Sequence, residues 1–381
     1  MVSKIITRGL LALTAAGFGQ TQAHAGGFSW GEASTDILYE RSNGAAEAGV
    51  IYVNPHRKFD TINGASSSDS HFSQEYFIPD IAVMGRLSDM FACAFTYTRP
   101  FGGDSKYGAQ AQAADAAATP PTAYSSKKFH TNEYGGTCDV SFELGKGRLH
   151  FIGGGFMQDF DYEAVANIGT LRLQDDSAFG YRLGIGYDIP EYALRAQLMY
   201  RSEIKHEADG DFTRNPAVLP LFPAVVDASG YGTLPQSLKL NLQSGIAPGW
   251  LVYGSVEWTD WSVLKTLNYN INILGDRQDV YNWRDGWTIT GGVGHKFTDK
   301  IAGTLNVRWD KGVGSGADIM TDTWTVGVGA AIDCGPGQLR VGGGVSYLTS
   351  GSQSTAKGAS FNATADGDWA YALTASYNVK F

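Results

Sequence analysis

Past residue 25 the chain carries six histidines, His56, His71, His130, His150, His206 and His295. A hydrolytic centre needs a histidine held against a nucleophile and oriented by a carboxylate. These six are scattered and mark no such grouping, and Ser42-Asn43-Gly44 has no histidine nearby, so no catalysis is expected. The three cysteines, Cys93, Cys138 and Cys334, lie too far apart for the short spacings of zinc sites. Asp209-Gly210-Asp211 and Asp366-Gly367-Asp368 offer carboxylates to calcium without the further oxygen ligands of a complete loop. Gly291-Gly292-Val293-Gly294 has no helix after it and is no phosphate cradle. No metal and no cofactor is therefore expected. What remains is the chemistry of apolar binding. The run Ala217 to Val226, with Leu219, Leu221, Phe222 and Val225, is apolar within an otherwise polar stretch; it is either a hydrophobic binding surface or a segment folded back onto other loops. Phe28 and Trp30 are large apolar groups in a segment outside any strand pattern; they either line a ligand pocket or anchor that segment. Pro100-Phe101-Gly102-Gly103 must bend or leave a sheet, because proline donates nothing to a ladder. That break is either an opening in a wall or an ordinary strand end.

The elements that position these residues follow from composition and period. The chain has 381 residues, 43% hydrophobic and 12% aromatic, with 49 glycines and a net charge of -9. This apolar content excludes disorder, and the acidic balance without a basic run excludes nucleic acid as a partner. Residues 1–25 combine Lys4 and Arg8, an apolar core and Ala23-His24-Ala25, the pattern of a secretory leader. Beyond them no run reaches the roughly 18 apolar residues of a spanning helix. The dominant signal is alternation: Tyr371, Leu373, Ala375, Tyr377, Val379 and Phe381 share one face, and Thr374, Ser376, Asn378 and Lys380 the other. The same period of two recurs in 179–189, 238–243, 301–310 and 339–347.

Such strands build either a soluble sandwich or a membrane barrel with its apolar face turned to lipid. Run lengths of about 10 to 14 residues suit tilted membrane strands. Short turns such as Ser88-Asp89, Pro190-Glu191 and Thr298-Asp299 alternate with longer connections near 59–71, 101–125, 163–176, 207–232, 312–317 and 351–365. That asymmetry selects an integral outer-membrane barrel, all-β and antiparallel, in contact with outer-membrane lipid and lipopolysaccharide. The boundaries predict fourteen strands, at 46–58, 72–87, 90–100, 126–144, 147–162, 177–189, 192–206, 233–246, 250–272, 277–297, 301–311, 318–332, 337–350 and 366–381. Gly153-Gly154-Gly155 suggests a bulge or bend in the fifth. Arg182, Arg195, Arg201, Glu203, Lys205, Lys239, Arg308 and Arg340 are expected to face the lumen, and Phe381 to be needed for assembly. Cys93 and Cys138 fall on one outward face of neighbouring strands, where a disulfide and two small apolar thiols are both compatible. Residues 26–45 fit neither face and are expected to fold into a lumen too wide for its own side chains, leaving 46–381 as the barrel.

Several segments resemble the FadL-type outer-membrane transporters. They are the start Gly26-Gly27-Phe28, then AGVIYVNPHRKFD, FTYTRPFGGDSKYG (95–108), DIPEYALRAQLMYRSEIKHEADGDF (188–212), LPQSLKLNLQSGIAPGWLVYGSVEWTDWS (234–262) and NWRDGWTITGGVGHKF (282–297). The family's longer plug with its Asn-Pro-Ala element has no counterpart in residues 26–45. The resemblance implies a monomer that takes up long-chain fatty acids or other hydrophobic compounds. It also implies capture on apolar loops, a pocket near the N-terminal segment, and lateral exit at a break in the third strand. Pro100, Phe101, Gly102 and Gly103 would be that lateral gate; Phe28, Trp30, Leu219, Leu221, Phe222 and Val225 would touch substrate. A diffusion porin for small hydrophilic solutes is the other function such a barrel could serve, with the charged lumen as its channel.

Overall fold

Alternating residues with β-branched and aromatic side chains on one face pair into fourteen antiparallel strands, each hydrogen-bonded to its chain neighbours. The computed structural model describes residues 26–118 and 122–381; the leader expected at 1–25 lies outside them. The strands are β1 (Gly44–Pro55), β2 (Tyr76–Ser88), β3 (Phe91–Thr98 and Gly102–Lys106), β4 (Tyr124–His130 and Glu133–Leu144), β5 (Gly147–Ala166), β6 (Gly169–Ile189) and β7 (Leu194–Arg201 and Ile204–Arg214). There follow β8 (Val225–Leu234 and Ser237–Ala247), β9 (Trp250–Thr259 and Thr266–Ile271), β10 (Gly275–Val280 and Gly286–Lys296), β11 (Ile301–Asp310), β12 (Thr323–Cys334), β13 (Gly337–Leu348) and β14 (Asp368–Lys380). β1 pairs with β2 on one side and with β14 on the other, from Ala45 opposite Lys380 to Pro55 opposite Ala370, so the sheet closes on itself. Gly44 and Phe381 exchange backbone hydrogen bonds at the seam, 2.8 and 2.9 Å.

Closure removes every sheet edge, and the two faces then meet different solvents. Leu183, Ile185, Leu305, Val307, Val326, Val328 and Leu373 stand exposed on the outer face. A row of aromatic side chains crosses adjacent strands at one level: Trp258 opposite Trp287, and Trp309, Trp324, Tyr347 and Trp369 opposite one another in turn. Such a girdle marks a membrane–water interface. Inside, six of the eight charges expected in the lumen are paired: Arg182 and Arg201 to Glu133, Arg195 to Asp36, Lys239 to Glu32, Arg308 to Asp310 and Arg340 to Glu47. On the lipid face each of these cations would cost about 2–4 kcal/mol at midplane.

Lys205 departs from that expectation. It is exposed, while its neighbours Ile204 and His206 are buried. The interruption of β7 at Ser202–Glu203 shifts the phase of the strand and turns Lys205 outward. Two connections read as loops, 163–176 and 207–232, are also largely strand. β5 and β6 run as one hairpin of 20 and 21 residues, and β7 and β8 reach 214 and 225. Beyond the girdle the outer face meets water and the lumen is packed, so the apolar face reverses. In β6, Leu171 and Leu173 are buried inside, whereas Phe179 and Leu183 are exposed outside. The reversal takes one extra residue, a bulge between Asp175 and Ala178. At Gly153-Gly154-Gly155, where a bulge was expected, the register is continuous. There a side chain at Gly154 would lie 2.2 Å from the Gly136 carbonyl, so close strand approach accounts for that glycine. The connection 101–125 holds one helix, α1 (Ala109–Ala116), which the sequence reading lacked.

Cys93 and Cys138 sit directly opposite across β3 and β4 and form a disulfide; Cys334 is free and exposed. Thiol counting on denatured, unreduced protein should therefore find one free thiol. Three would contradict the bridge.

Candidate functional site

The lumen is crossed by residues 26–43, held by charges from strands on several sides. Glu32 meets Lys239, Ser34 donates to Asp80 at 2.6 Å, Asp36 accepts from Arg195 at 3.1 Å, and Arg41 reaches Asp188 at 3.3 Å. Arg86 donates to the Leu38 and Glu40 carbonyls. A 3₁₀ turn, Thr35–Tyr39, buries Ile37 and Leu38 against Ala82, Met84, Ala92 and Ile152. His150 lies under Tyr39 with both ring nitrogens 2.9 Å from carboxylates, Asp139 and Asp188.

The upper end of this segment meets a stretch where two neighbouring strands, β2 and β3, part. β2 and β3 pair from Ser88 opposite Phe91 to Asp80 opposite Thr98, and there the ladder stops. It resumes only loosely past the break, with Gln74 donating to the Asp104 carbonyl and Lys106 to that of Phe72. Both lips carry a proline, Pro79 on β2 and Pro100 on β3, and neither can donate. The sequence reading named Pro100 and missed Pro79, which looks ordinary within an alternating strand. The backbone groups of β3 find partners inside instead. Trp30 and Gly31 amides donate to the carbonyls of Pro100 and Arg99 at 2.8 and 3.0 Å, and Gly102 donates to that of Phe28 at 3.0 Å. A side chain at Gly102 would overlap the Trp30 ring at 2.5 Å, which is why only glycine admits this approach. Trp30 is buried and stacks on Tyr76 of β2, centroids 4.1 Å apart and planes 4° from parallel. Tyr76 stands opposite Val53 of β1, and the amide of His56, just past the end of that strand, donates to the Trp369 carbonyl. The break thus opens just below the outer aromatic girdle.

Above it lies an aromatic chamber. Phe28 packs on Phe129 at 4.7 Å, Trp283 at 4.6 Å and Tyr281 at 5.5 Å; Phe101 meets Trp261 at 5.6 Å. Trp261 and Trp283 are fully buried, each at a break in β9 or β10. The sequence reading missed both, although the lapse in alternation at 260–265 and 281–285 is their only signal. Glu133 binds Arg182 and Arg201 beneath, and Arg201 lies over the Phe101 and Phe156 rings. Phe28 lines two spaces: an outer cavity of about 1300 Å³ among the loops, and a small apolar one of about 40 Å³ beside Phe160, Leu173 and Leu234. The expected loop residues divide. Leu219 and Phe222 pack inward on the chamber's core, whereas Leu221 is 99% exposed and Val225 faces water. Phe101 and Gly102 are buried at the break, and Gly103 lies near Phe28 and Phe129. Phe28, Trp30 and residues 100–103 therefore come together; Leu219 and Phe222 pack on the same core as Phe28 and Phe101, and only Leu221 and Val225 stand apart.

The family profile "Outer membrane protein transport protein (OMPP1/FadL/TodX)" matches residues 156–381. Among curated proteins, the long-chain fatty acid transport protein of Salmonella typhi is 26% identical over 144 residues, 35% of this chain and 33% of that protein. Its namesake in an Escherichia coli O6:H1 strain is 26% identical over 176 residues, 42% of this chain and 34% of that protein. The chain thus spans about a third of the length of these relatives. Among solved structures, a Pseudomonas aeruginosa FadL homologue superposes with a TM-score of 0.71 at 14% identity, covering 91% of this chain and 92% of that one. The Ralstonia pickettii toluene transporter TbuX gives 0.63 at 12% identity, covering 98% and 99%. At these identities the likeness is one of fold.

Gly27 supports the chamber from below with φ at +59°, and a side chain there would lie 2.7 Å from the Trp261 ring. Gly27→Val should strain the backbone by about 1–3 kcal/mol and push the segment off β3. Planar-bilayer conductance should then rise above that of the parent protein; equal conductance would show the segment is held elsewhere.

Proposed function

This chain belongs to the outer-membrane transport protein family (OMPP1/FadL/TodX), and on that premise we propose that it takes up hydrophobic compounds, long-chain fatty acids or aromatics, by lateral release. In this reading Leu219, Leu221, Phe222 and Val225 gather the compound at the loops. Phe28 and Trp30 line its path, and Pro100, Phe101, Gly102 and Gly103 form the exit through the wall. Residues 26–45 act as the plug of a monomeric barrel, 46–381.

One observation carries the proposal: the ladder between β2 and β3 is broken, and the N-terminal segment, not a strand, satisfies the exposed backbone. The energetics point the same way. Each CH₂ kept from water retains about 0.8 kcal/mol. Below the aromatic chamber the lumen is polar, with cavities of about 90 and 110 Å³ lined by Glu32, Lys239, Glu257 and Arg308. A hydrophobic compound going straight down would forfeit its burial and disturb buried ion pairs, whereas the side route leads from rings to lipid. A hydrophilic diffusion pore would need the lumen clear along its length, and residues 26–43 cross it.

Replacing both Pro79 and Pro100 with valine returns two amide donors to the lips and lets the ladder run past Asp80 and Thr98. Uptake of a radiolabelled fatty acid or aromatic by cells should fall severalfold, while binding at the cell surface persists. A variant that assembles normally and transports at the parental rate would rule out the lateral route in favour of a straight passage.

A further inference from the structure

Four carboxylates reach the outer cavity; Asp115 and Asp279 are committed elsewhere, and Asp276 stands exposed to water. Asp115 accepts from the Thr122 hydroxyl at 2.7 Å and the Tyr124 amide at 2.9 Å. Asp276 accepts from the Asn270 side chain at 2.7 Å, and Asp279 pairs with Lys127 at 2.8 Å while accepting from the Tyr162 hydroxyl. Asp318, on the loop between β11 and β12, differs. Its two oxygens share a single side-chain donor, the indole N–H of Trp283, at 3.0 and 2.9 Å. Among the described residues it has no ion pair; its own amide is the other donor. A carboxylate offers about four acceptor sites, so capacity is left over on a group that lines the cavity. Burial pushes the Asp318 carboxyl up to about 7, in keeping with a charge that has no cation beside it.

What surrounds this acceptor is aromatic. Trp283, which holds it, is fully buried and packs on Phe28 and Tyr281, and Tyr281 and Tyr107 line the same cavity. A plain hydrocarbon would lie on those rings and leave the acceptor unmatched. A carboxylate would meet it charge to charge. An aromatic compound with a hydroxyl satisfies both surfaces, ring on ring and O–H to carboxylate. Resting on the uptake reading above, we propose that Asp318 is a specificity-determining residue of this site: it accepts a hydrogen bond from the hydroxyl of phenol-type aromatic compounds and disfavours their carboxylate counterparts.

The test uses three ligands that share a ring and a tail: ethylbenzene, 4-ethylphenol and 4-ethylbenzoate, titrated calorimetrically into the full protein in lipid nanodiscs at a pH of about 8.5, where the Asp318 carboxyl is ionised and the phenol is not. For the parent, 4-ethylphenol should bind about tenfold or more tighter than ethylbenzene, the scale of one hydrogen bond to a charged acceptor. 4-Ethylbenzoate should bind weakest. Asp318→Leu should bring the phenol-to-ethylbenzene ratio close to one. Asp318→Asn keeps an acceptor for Trp283 and so guards against a folding defect; it should relieve the penalty on 4-ethylbenzoate and retain only part of the phenol preference. An unchanged phenol preference in both variants would overturn the proposal. So would tightest binding of 4-ethylbenzoate to the parent, which would point to Lys128 and Arg277 of the same cavity as the recognising groups. Binding of all three ligands without preference would defeat the role of Asp318 alone, whereas binding of none would also defeat the uptake reading for aromatic compounds.

Discussion

A peptide group left unpaired in hydrocarbon costs several kcal/mol, so a barrel wall in a membrane has to pair its backbone throughout. The closed ladder from β1 to β14 meets that demand along most of the wall, and between β2 and β3 it stops short. Two prolines at the lips remove donors, and the carbonyls of Arg99 and Pro100 then require a partner from outside the sheet. Trp30 and Gly31 supply it. The position of the N-terminal segment, the inward bend of β3 and the glycine at 102 all follow from that one debt. Any movement of the segment has to expose the same groups, which ties the state of the lumen to the state of the wall.

The second organising feature is that each long strand passes through two solvents. Below the girdle the outer face is apolar and the lumen polar; above it the relation is reversed. In β6 a single extra residue between Asp175 and Ala178 makes the exchange, and in β7 the interruption after Arg201 does so. The aromatic chamber can exist only because of this reversal. Phe160, Tyr162, Leu171, Leu173, Phe212 and Trp261 all point inward at the level where the wall no longer touches lipid. The chamber therefore sits directly above the break in the wall and above the ion pairs of Glu133. A compound resting among the rings faces an apolar route sideways and a charged one downward.

Much of the barrel was legible because alternation is local: a residue's face is set by its own strand and by the solvent that strand meets. Strand number, turn asymmetry and the lumen placement of Arg182, Arg308 and Arg340 all come from that rule. The rule failed where the solvent changed. The segments 163–176 and 207–232 looked like loops because their polar faces were read as water on both sides. Lys205 was assigned inward because a phase shift of one residue carries no mark of its own. Phe28, Trp30 and the Pro100 to Gly103 stretch could be singled out by residue type. Their meeting could not, since Trp30 and Pro100 are distant in the chain and bond through backbone atoms that any residue possesses.

By itself, then, the amino-acid sequence determined the all-β architecture, the membrane-facing surface, the number of strands and the presence of a break in the third. Those depend on periodicity and on the missing amide of proline, which are properties of short stretches. Only the tertiary structure decided that the break is capped from within, that Pro79 lies on the lip facing the Pro100 stretch, and that Cys93 bonds Cys138. It alone set Trp261 against Trp283 and the indole N–H of Trp283 against Asp318, joining three separate parts of the chain. Those outcomes depend on the register of a closed sheet and on which side chains then share a lumen, quantities that exist only once all fourteen strands are in place.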